Sequence, residues 1–407
     1  MNLRRKKKTL SVQTEDAWLR SNVQGRQVLN LIREHDSISG ADLATRTGMR
    51  PAAIARIVKE LAAKALISNS SAGESSAHRG KKPELWSVIK PARYAVGIAV
   101  EIGEIAAVVL DLGGNLVGRN IYKRAVVSNF SEAVGHIREA IENILMESGI
   151  ARERIAGLGL AVSGVVDPRR GLICLTEVFS QRNIPLLEHL QPHYAFPLVV
   201  ENNANAAALG AKWLGKNNGS ANYLTVLVKI DRNVGGMGVG LVLNHELYRG
   251  AAHCAGELNI RLPMLGDLLR SLRPQFDKGV VLRDYKDAIE VLDIAMLIDA
   301  ARQNDKIALA FFDALGHIIG KSIAKSVALI NPEKIVLVGD IAEVGKHILE
   351  PLRAAITPEI LNLAAEALEL EASPYGRDAV AMGAAALVWN DFFKLPEGMR
   401  STLMPAR

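Results

Sequence analysis

Cysteine is scarce in this sequence, since Cys174 and Cys254 are the only two among 407 residues. Two thiols cannot form the disulfide framework of a small secreted protein, and they are too few for a zinc site of the usual cysteine-rich kind. We therefore expect two semi-buried thiols in a reducing cytoplasm, with no metal and no cofactor.

Long apolar runs are also missing. No uninterrupted run reaches the roughly 18 residues that would span a bilayer, and no apolar segment follows the basic N-terminus as it would in a secretory signal. We expect a cytoplasmic protein without a membrane partner. A chain of 407 residues is too long for one hydrophobic core, so several domains are expected.

Positive charge is concentrated near the N-terminus. Residues 1–90 hold 17 of the 49 Lys and Arg residues but only 8 of the 43 Asp and Glu residues. Such an asymmetry favours a polyanionic partner for this part of the chain. We expect a flexible basic arm over residues 1–20 and a DNA-binding domain over residues 21–90.

The pattern after Asn22 predicts a helix-turn-helix. Ser39 followed by Asp42 is a typical helix start, Gly48 suits the turn that ends that helix, and Pro51 suits the first position of the next helix. The second helix would then expose cations and small side chains that can enter the major groove of double-stranded DNA; these are Arg50, Ala52, Ala53, Arg56 and Lys59. A plain three-helix interaction domain is the alternative.

Two short β-rich runs, at residues 66–67 and 84–88, predict a hairpin after the third helix. The connection between them carries Arg79, Lys81 and Lys82, and cations of this kind can enter a narrow minor groove. The hairpin would make the domain a winged helix-turn-helix. A solvated linker is the alternative for residues 68–83.

The rest of the chain shows one pattern twice: three short strands, then strands and helices. This predicts an α/β body of two lobes. We expect a first lobe over residues 91–205, a second lobe with the oligomerisation surface over 206–375, and a C-terminal helix over 376–395 that returns to the first lobe.

Several short segments of the body resemble the ROK family, which groups bacterial repressors and sugar kinases. They are Gly97-Ile98, Asp111-Leu112, the run ENNANAAALG at residues 201–210, and Ala255-Gly256-Glu257. Together with the helix-turn-helix, the resemblance indicates the repressor branch, similar to the xylose and N-acetylglucosamine repressors. It implies an actin-like, ribonuclease-H-like ATPase fold and a sugar pocket that includes Asn202, Asn203 and Glu257.

The sequence departs from the family's kinases in the parts that phosphoryl transfer needs. Where they carry Asp-x-Gly-Gly-Thr, this chain has Ala99-Val100-Glu101-Ile102-Gly103, and where they carry the catalytic aspartate it has Asn203. Their late Gly-Gly is Gly339-Asp340 here. An amide cannot take a proton from a sugar hydroxyl at neutral pH. The resemblance therefore implies a body that is not an enzyme.

The family's structural zinc motif is missing as well. Ile260 stands where the resemblance places a zinc-binding histidine, and no cysteine follows Cys254. The segment over residues 262–291, which replaces the zinc cluster, is unlike the family, so the sequence predicts no conformation for it.

These features predict a transcriptional regulator of sugar-metabolism genes, in the first place a repressor. We expect it to bind an operator as a homodimer or homotetramer, with a sugar as effector. Two alternatives remain open: a ligand-independent DNA-binding scaffold, in which Asn202 only caps a helix and Glu257 pairs internally, and an active sugar kinase.

Overall fold

The structure is a computed structural model. It describes residues 18–19, 21–70, 84–123, 130–176, 182–214, 220–232 and 235–394. The chain divides into two compact units. Unit 1 comprises Met1–Leu160, Leu186–Val199 and Ala385–Arg407, and unit 2 comprises Ala161–Pro185 and Val200–Ala384. Residues 161–185, expected in the first lobe, thus group with unit 2, and the predicted domain bounds remain predictions.

The N-terminal part of unit 1 is a winged helix-turn-helix. Its elements are α1 (Val23–Glu34), β1 (Ile38–Ser39), α2 (Gly40–Thr47), α3 (Pro51–Ala63), β2 (Ile67–Asn69) and β3 (Leu85–Val88). The strands form one sheet in the order β1-β3-β2. The short strand β1 was not predicted. The three helices bury one apolar stripe each, which is the core of this domain; it includes Val28, Leu29, Ile32, Leu43, Ile54, Ile57, Val58 and Leu61.

The predicted signals around α2 are confirmed. The Ser39 hydroxyl accepts a hydrogen bond from the Asp42 amide at 3.1 Å and donates one to the Asp42 carboxylate at 2.6 Å. Gly48 follows the helix with φ +68, a left-handed conformation that suits glycine. Pro51 is the first residue of α3.

A five-stranded sheet follows, in the order β10-β7-β4-β5-β6. Its strands are β4 (Tyr94–Glu101), β5 (Glu104–Asp111), β6 (Leu116–Lys123), β7 (Ile155–Val162) and β10 (Leu198–Asn202). Helix α4 (Phe130–Ser148) packs on β5 and β6. Between β7 and β10 lie β8 (Val165–Asp167), β9 (Leu172–Leu175) and α5 (Leu186–Leu190), and α6 (Asn203–Leu214) follows β10 directly.

A second five-stranded sheet has the order β13-β12-β11-β14-β15. Its strands are β11 (Tyr223–Ile230), β12 (Gly235–Leu243), β13 (Glu246–Leu247), β14 (Lys334–Val338) and β15 (Glu369–Ala372). In both sheets three consecutive strands stand side by side and two later strands extend the other edge. This equivalence bears out the predicted duplicated α/β body.

Helices fill the long connections of unit 2. They are α7 (Leu265–Leu272), α8 (Ile294–Arg302), α9 (Lys306–Ile330), α10 (Lys346–Ile356) and α11 (Asn362–Ala367), and α12 (Ala379–Phe392) follows β15. A side chain at Gly320 would come within 2.6 Å of the Ala355 side chain, so this glycine lets α9 and α10 approach closely. By length and composition α9 could cross a membrane, but 56% of its most apolar window is buried, as in a core helix.

The segment over residues 262–291 has a structure that the sequence did not predict. It forms α7 and short 3-10 turns, and its large apolar side chains enter the core of unit 2: Leu262, Leu265, Leu268, Leu269, Leu272, Phe276, Leu282 and Ile289. Apolar packing therefore stabilises the part of the chain for which the family resemblance implied a zinc cluster.

Buried Asp305 anchors this segment to α9. One carboxylate oxygen accepts hydrogen bonds from the Val280, Val281 and Leu282 amides, and the other accepts from the Ile307 and Ala308 amides in the first turn of α9. Burial alone would raise the pKa of Asp305, but the amide donors outweigh it and hold this pKa below its ordinary value. The ionised carboxylate is thus the form that the fold stabilises.

Candidate functional site

The outward face of α3 presents the side chains that the sequence indicated. Arg50, Ala52, Arg56 and Lys59 are exposed, and Ala53 is half-buried. Arg50 immediately precedes α3 as its N-cap residue, and its side chain makes no capping hydrogen bond. The start of α3 therefore combines two exposed cations, Arg50 and Arg56, with alanines that leave space for a close approach to a groove.

Arg56 makes an ion pair within its own helix. Its guanidinium lies 3.2 Å from the Glu60 carboxylate, and the Arg56 side chain is 63% exposed. An exposed pair of this kind contributes roughly 0–1 kcal/mol. It can therefore open when a phosphate competes for the guanidinium. Arg46 on α2 is also exposed, and sequence reasoning did not select it.

The base of the predicted wing is formed by β2 and β3. The Ser70 amide donates to the Leu85 carbonyl at 2.7 Å and closes the hairpin. Arg79, Lys81 and Lys82 lie outside the described residues, so their part in DNA binding stays a prediction.

In unit 2, Asn202 holds the junction between β10 and α6. Its side-chain oxygen accepts a hydrogen bond from the Asn205 amide at 3.1 Å. Its side-chain nitrogen donates to the Gly164 carbonyl at 2.8 Å and to the Glu257 carboxylate at 3.3 Å. Asn202 is buried. It thus caps α6 and links three segments of unit 2 at the position where the family resemblance implies a sugar pocket.

Asn203 and Glu257 are more accessible than Asn202. The Asn203 side chain is half-buried, and its oxygen accepts a hydrogen bond from the Ala204 amide at 2.8 Å. Glu257 is exposed, and its carboxylate accepts a hydrogen bond from the Asn202 side chain. The structure therefore brings the three predicted effector residues together, but it commits Asn202 largely to the fold. Sugar binding by Asn203 and Glu257 stays a prediction.

A buried ion pair beside these residues was missed by sequence reasoning. Glu201 is 1% exposed, and its Oε2 atom lies 2.7 Å from both Nε and a terminal nitrogen of Arg249. Its Oε1 atom accepts hydrogen bonds from the Asn202 amide at 3.0 Å and the Asn205 side chain at 3.1 Å. A glutamate at the end of an apolar strand indicates that some buried partner exists, but the sequence does not identify Arg249.

The loop from Arg249 to Glu257 is fixed at both ends. Arg249 holds its start through Glu201, and Gly256 holds its end against β12. Gly256 has φ +87, and an added side-chain carbon would lie 1.7 Å from the Val239 carbonyl oxygen. Only glycine fits there. This close approach places Glu257 beside Asn202.

The two cysteines differ in their exposure. Cys174 is half-buried, whereas Cys254 is exposed and not semi-buried as expected, because it lies in the accessible middle of the loop between Arg249 and Glu257. Within the part of the chain that the structure describes, no group of three or more His, Cys, Asp or Glu side chains is arranged to hold a metal ion.

The first of the kinases' phosphate loops corresponds to the end of β4, and the resemblance sets the second against the start of β12. Ala99 is buried within β4, and Glu101 faces Glu104 across the β4–β5 turn. At the start of β12 the Gly235 carbonyl accepts a hydrogen bond from the Leu262 amide at 3.1 Å. A side chain at Gly235 would come within 2.4 Å of the Leu262 carbonyl oxygen. The segment that replaces the zinc cluster thus lies directly on this strand start.

The end of β11 carries a half-buried cation, Lys229, that interacts with Asp340, which stands where the family's kinases have the second glycine of their late Gly-Gly. Burial lowers the pKa of Lys229, and the carboxylates of Asp231 and Asp340 oppose that shift. Gly339 follows β14 with φ +104. Acidic Asp340 therefore contributes negative charge where the family's kinases carry a second glycine.

Comparison with known proteins agrees with this architecture. A model described as the ROK family matches residues 96–259 and 279–391. A model described as winged helix-turn-helix DNA-binding matches residues 22–67. The gap between the two matched stretches of the body, residues 260–278, contains α7.

Relatives of both kinds, regulators and enzymes, are similar to this chain. A putative xylose repressor of Caldicellulosiruptor sp. (strain Rt8B.4) is 26% identical, over 91% of this chain and 96% of that protein. A glucokinase of Halalkalibacterium halodurans is also 26% identical, over 73% of this chain and 95% of that enzyme.

Among solved structures, a ROK family transcriptional regulator, a homologue of the E. coli Mlc protein, is similar in fold. It superposes with a TM-score of 0.72 at 20% identity and covers 91% of this chain and 96% of that one. The predicted fold, a winged helix-turn-helix followed by an actin-like α/β body, is confirmed.

Proposed function

This chain belongs to the ROK family, and from that membership we propose that it is a DNA-binding transcriptional regulator. It represses genes of sugar metabolism, and its kinase-like body binds a sugar as effector. The observation that carries the proposal is the exposed N-terminal half of α3, which is cationic and rich in small side chains. The same chain has the body of a family that includes sugar kinases.

DNA binding is assigned to α3 and the wing. Arg50, Ala52, Ala53 and Arg56 enter the major groove, and Lys59 contacts the phosphate backbone. Arg79, Lys81 and Lys82 contact the minor groove beside it. One such domain covers one half-site, so the regulator acts in the cytoplasm as a homodimer or homotetramer on two half-sites.

The effector site is assigned to Asn203 and Glu257, with Asn202 as the residue that positions them. A carboxylate and an amide match the paired donors and acceptors of neighbouring sugar hydroxyls. The hydrogen bond to Ala204 occupies only the side-chain oxygen of Asn203, so its amide N–H groups can donate to a sugar hydroxyl, and the exposed Glu257 carboxylate can accept from one. A sugar alters DNA binding only if it binds the conformation that binds DNA and the conformation that does not with different affinities.

Under this proposal the body does not phosphorylate sugars. Sugar phosphorylation is a specific alternative, because the chain is also similar to a glucokinase. Asn203 replaces the general base, whose loss alone removes roughly 10²–10⁴-fold in rate. The carboxylate of Glu101 replaces a glycine of the phosphate loop. Two like charges about 4 Å apart repel by about 4 kcal/mol at an effective dielectric constant of ~20. A phosphate would therefore be repelled at this position.

A thermal-shift screen tests the effector assignment. The probes are xylose, glucose, N-acetylglucosamine, their 6-phosphates where they exist, and Mg-ATP, each with the wild type and with the Asn203→Ala, Glu257→Ala variant. A ligand at about 100 times its Kd adds about 2.7 kcal/mol to the stability of its domain. We expect a shift with a sugar that the double variant loses. A shift with Mg-ATP would favour the kinase, and no shift with any probe would favour a ligand-independent scaffold.

A further inference from the structure

The last helix among the described residues, α12, is buried over most of its length. All residues of α12 from Ala379 to Trp389 are buried, and a helix without a polar face is a core helix. Its residues 379–384 are part of unit 2 and the rest are part of unit 1. One continuous helix thus has one end among the residues of each unit.

The first part of α12 touches α6 through backbone atoms. A side chain at Gly383 would lie 2.2 Å from the Ala206 carbonyl oxygen, and a side chain at Gly210 would lie 2.9 Å from the Gly383 Cα. No flexible side chain separates the two helices at this contact. Since close-packed backbones cannot absorb a displacement by changing rotamers, a shift of α6 must move α12. Helix α6 begins at Asn203, directly after its capping residue Asn202.

The other end of α12 reaches the winged helix-turn-helix. Trp389, Phe392 and Phe393 form a cluster with ring centroids 5.0–6.3 Å apart. The Arg33 guanidinium lies over the Phe393 ring, 5.7 Å from its centroid. Arg33 is on α1, and its side chain is only 9% exposed. An arginine desolvated against an aromatic face is a specific contact, because the cation is attracted to the ring.

Arg33 is well placed to influence the DNA-reading helix. Helix α1 also carries Val28, Leu29 and Ile32, which are fully buried in the core of the domain. Helix α1 packs against α3 through that core. Arg33 Nε donates a hydrogen bond to the side-chain oxygen of Asn30 at 3.1 Å. This bond within α1 orients the guanidinium.

We propose that α12 couples the state of the Asn202–Asn203 site to the winged helix-turn-helix, and that Phe393 and Arg33 are the positioning residues of this coupling. The proposal rests on the proposed function, since it describes how an effector at that site would reach the DNA-reading domain. The path runs from the start of α6 through Gly383 and along α12 to Phe393 and Arg33. Phe393 and Arg33 are not among the residues that the proposed function assigns to effector binding or to DNA binding.

Hydrogen exchange on the full-length protein, with neither sugar nor DNA present, tests the coupling. The site is perturbed by Asn202→Ala and, in a second series, by Glu257→Ala, which removes a partner of Asn202. Each change is made in the wild type and with Phe393→Leu, which keeps an apolar side chain but removes the ring. Amide exchange is followed over α6, α12 and α1. Arg33→Gln tests the same contact from its other side, and circular dichroism checks that every variant is folded.

With Phe393 in place, perturbation of the site is expected to accelerate exchange severalfold in α12 and in α1. With Phe393→Leu or Arg33→Gln, the acceleration should reach α12 but not α1. A matched control is Phe196→Leu, which removes a buried ring stacked on Tyr194 elsewhere in unit 1 and should leave the coupling intact.

The proposal is overturned if α1 responds equally with and without the Phe393 ring, or if α1 does not respond in the wild type. It is also overturned if Phe196→Leu abolishes the response as fully as Phe393→Leu does. Because no DNA or sugar takes part, failure of α3 to bind DNA would contradict the proposed function and leave this result unaffected.

Discussion

Arg249 neutralises the buried carboxylate of Glu201 from a position 48 residues further along the chain. The same carboxylate accepts hydrogen bonds from the Asn202 amide and the Asn205 side chain. Both of its oxygens are therefore satisfied, and the start of α6 is joined to the loop that carries Glu257. The candidate effector site thus depends on an ion pair that does not itself include an effector residue.

Arg249→Ala should destabilise unit 2 strongly. It leaves a buried carboxylate without its cation, and breaking a buried pair in this way costs about 3–5 kcal/mol. Urea denaturation measures the change in the free energy of unfolding. Arg270→Ala is the matched control, because it breaks an ion pair with Asp267 in which both side chains are more than half exposed; it should cost less than about 1 kcal/mol. Equal effects of the two changes would refute the structural role of Arg249.

Asp305→Asn should alter both stability and its pH dependence. The amide cannot replace a carboxylate that accepts from five backbone amides, and we expect a loss of about 3 kcal/mol at neutral pH. The pKa of Asp305 is lower in the folded than in the unfolded state. Its stabilising contribution is therefore complete above the unfolded pKa of about 4 and is lost as the pH falls through the folded pKa.

Urea denaturation at several pH values below neutral tests this prediction. The wild type should lose unfolding free energy more steeply than Asp305→Asn as the pH falls below about 4. Asp287→Asn is the control in the same segment, since the Asp287 side chain is 82% exposed. If Asp305→Asn and the wild type have the same pH dependence, the carboxylate does not act as an ionised anchor.

Asn203→Asp should not turn the protein into a sugar kinase. The change restores the family's general base, but Ala99 and Glu101 still occupy the phosphate loop. We expect no ADP release above background with glucose, xylose or N-acetylglucosamine, measured by a coupled assay with a ROK glucokinase as positive control. A gain in turnover of about 10²-fold or more would show that the base alone was missing, and the argument from the phosphate loop would fail.

The sequence could predict features that depend on near neighbours. The Ser39–Asp42 helix start, the glycine turn at Gly48, Pro51 at the start of α3 and the bounds of α6 follow from contacts within a few residues. The double α/β pattern was also predictable, because strands and helices bury apolar residues with different periods.

Features that depend on distant residues could not be predicted. Strand β1 has only two residues, Ile38 and Ser39, and it exists because β3 provides its hydrogen-bonding partner. Arg249 is a surface-type residue in sequence, and only the fold places it on Glu201. The segment with α7 has amphipathic character, but the sequence did not indicate which core it would enter or that Asp305 would hold it.

The most direct test of the account is the affinity of the protein for duplex DNA that it selects from a random library. Fluorescence anisotropy compares the wild type, Arg50→Ala with Arg56→Ala, and the charge-matched control Arg270→Ala with Arg273→Ala, whose arginines are exposed in unit 2. We predict that the α3 variant loses at least about tenfold in affinity. The slope of the logarithm of its binding constant against the logarithm of the salt concentration should become shallower by about one for each lost phosphate contact. Neither quantity should change in the control. Equal affinity of the α3 variant and the wild type would contradict the claim that this helix reads DNA.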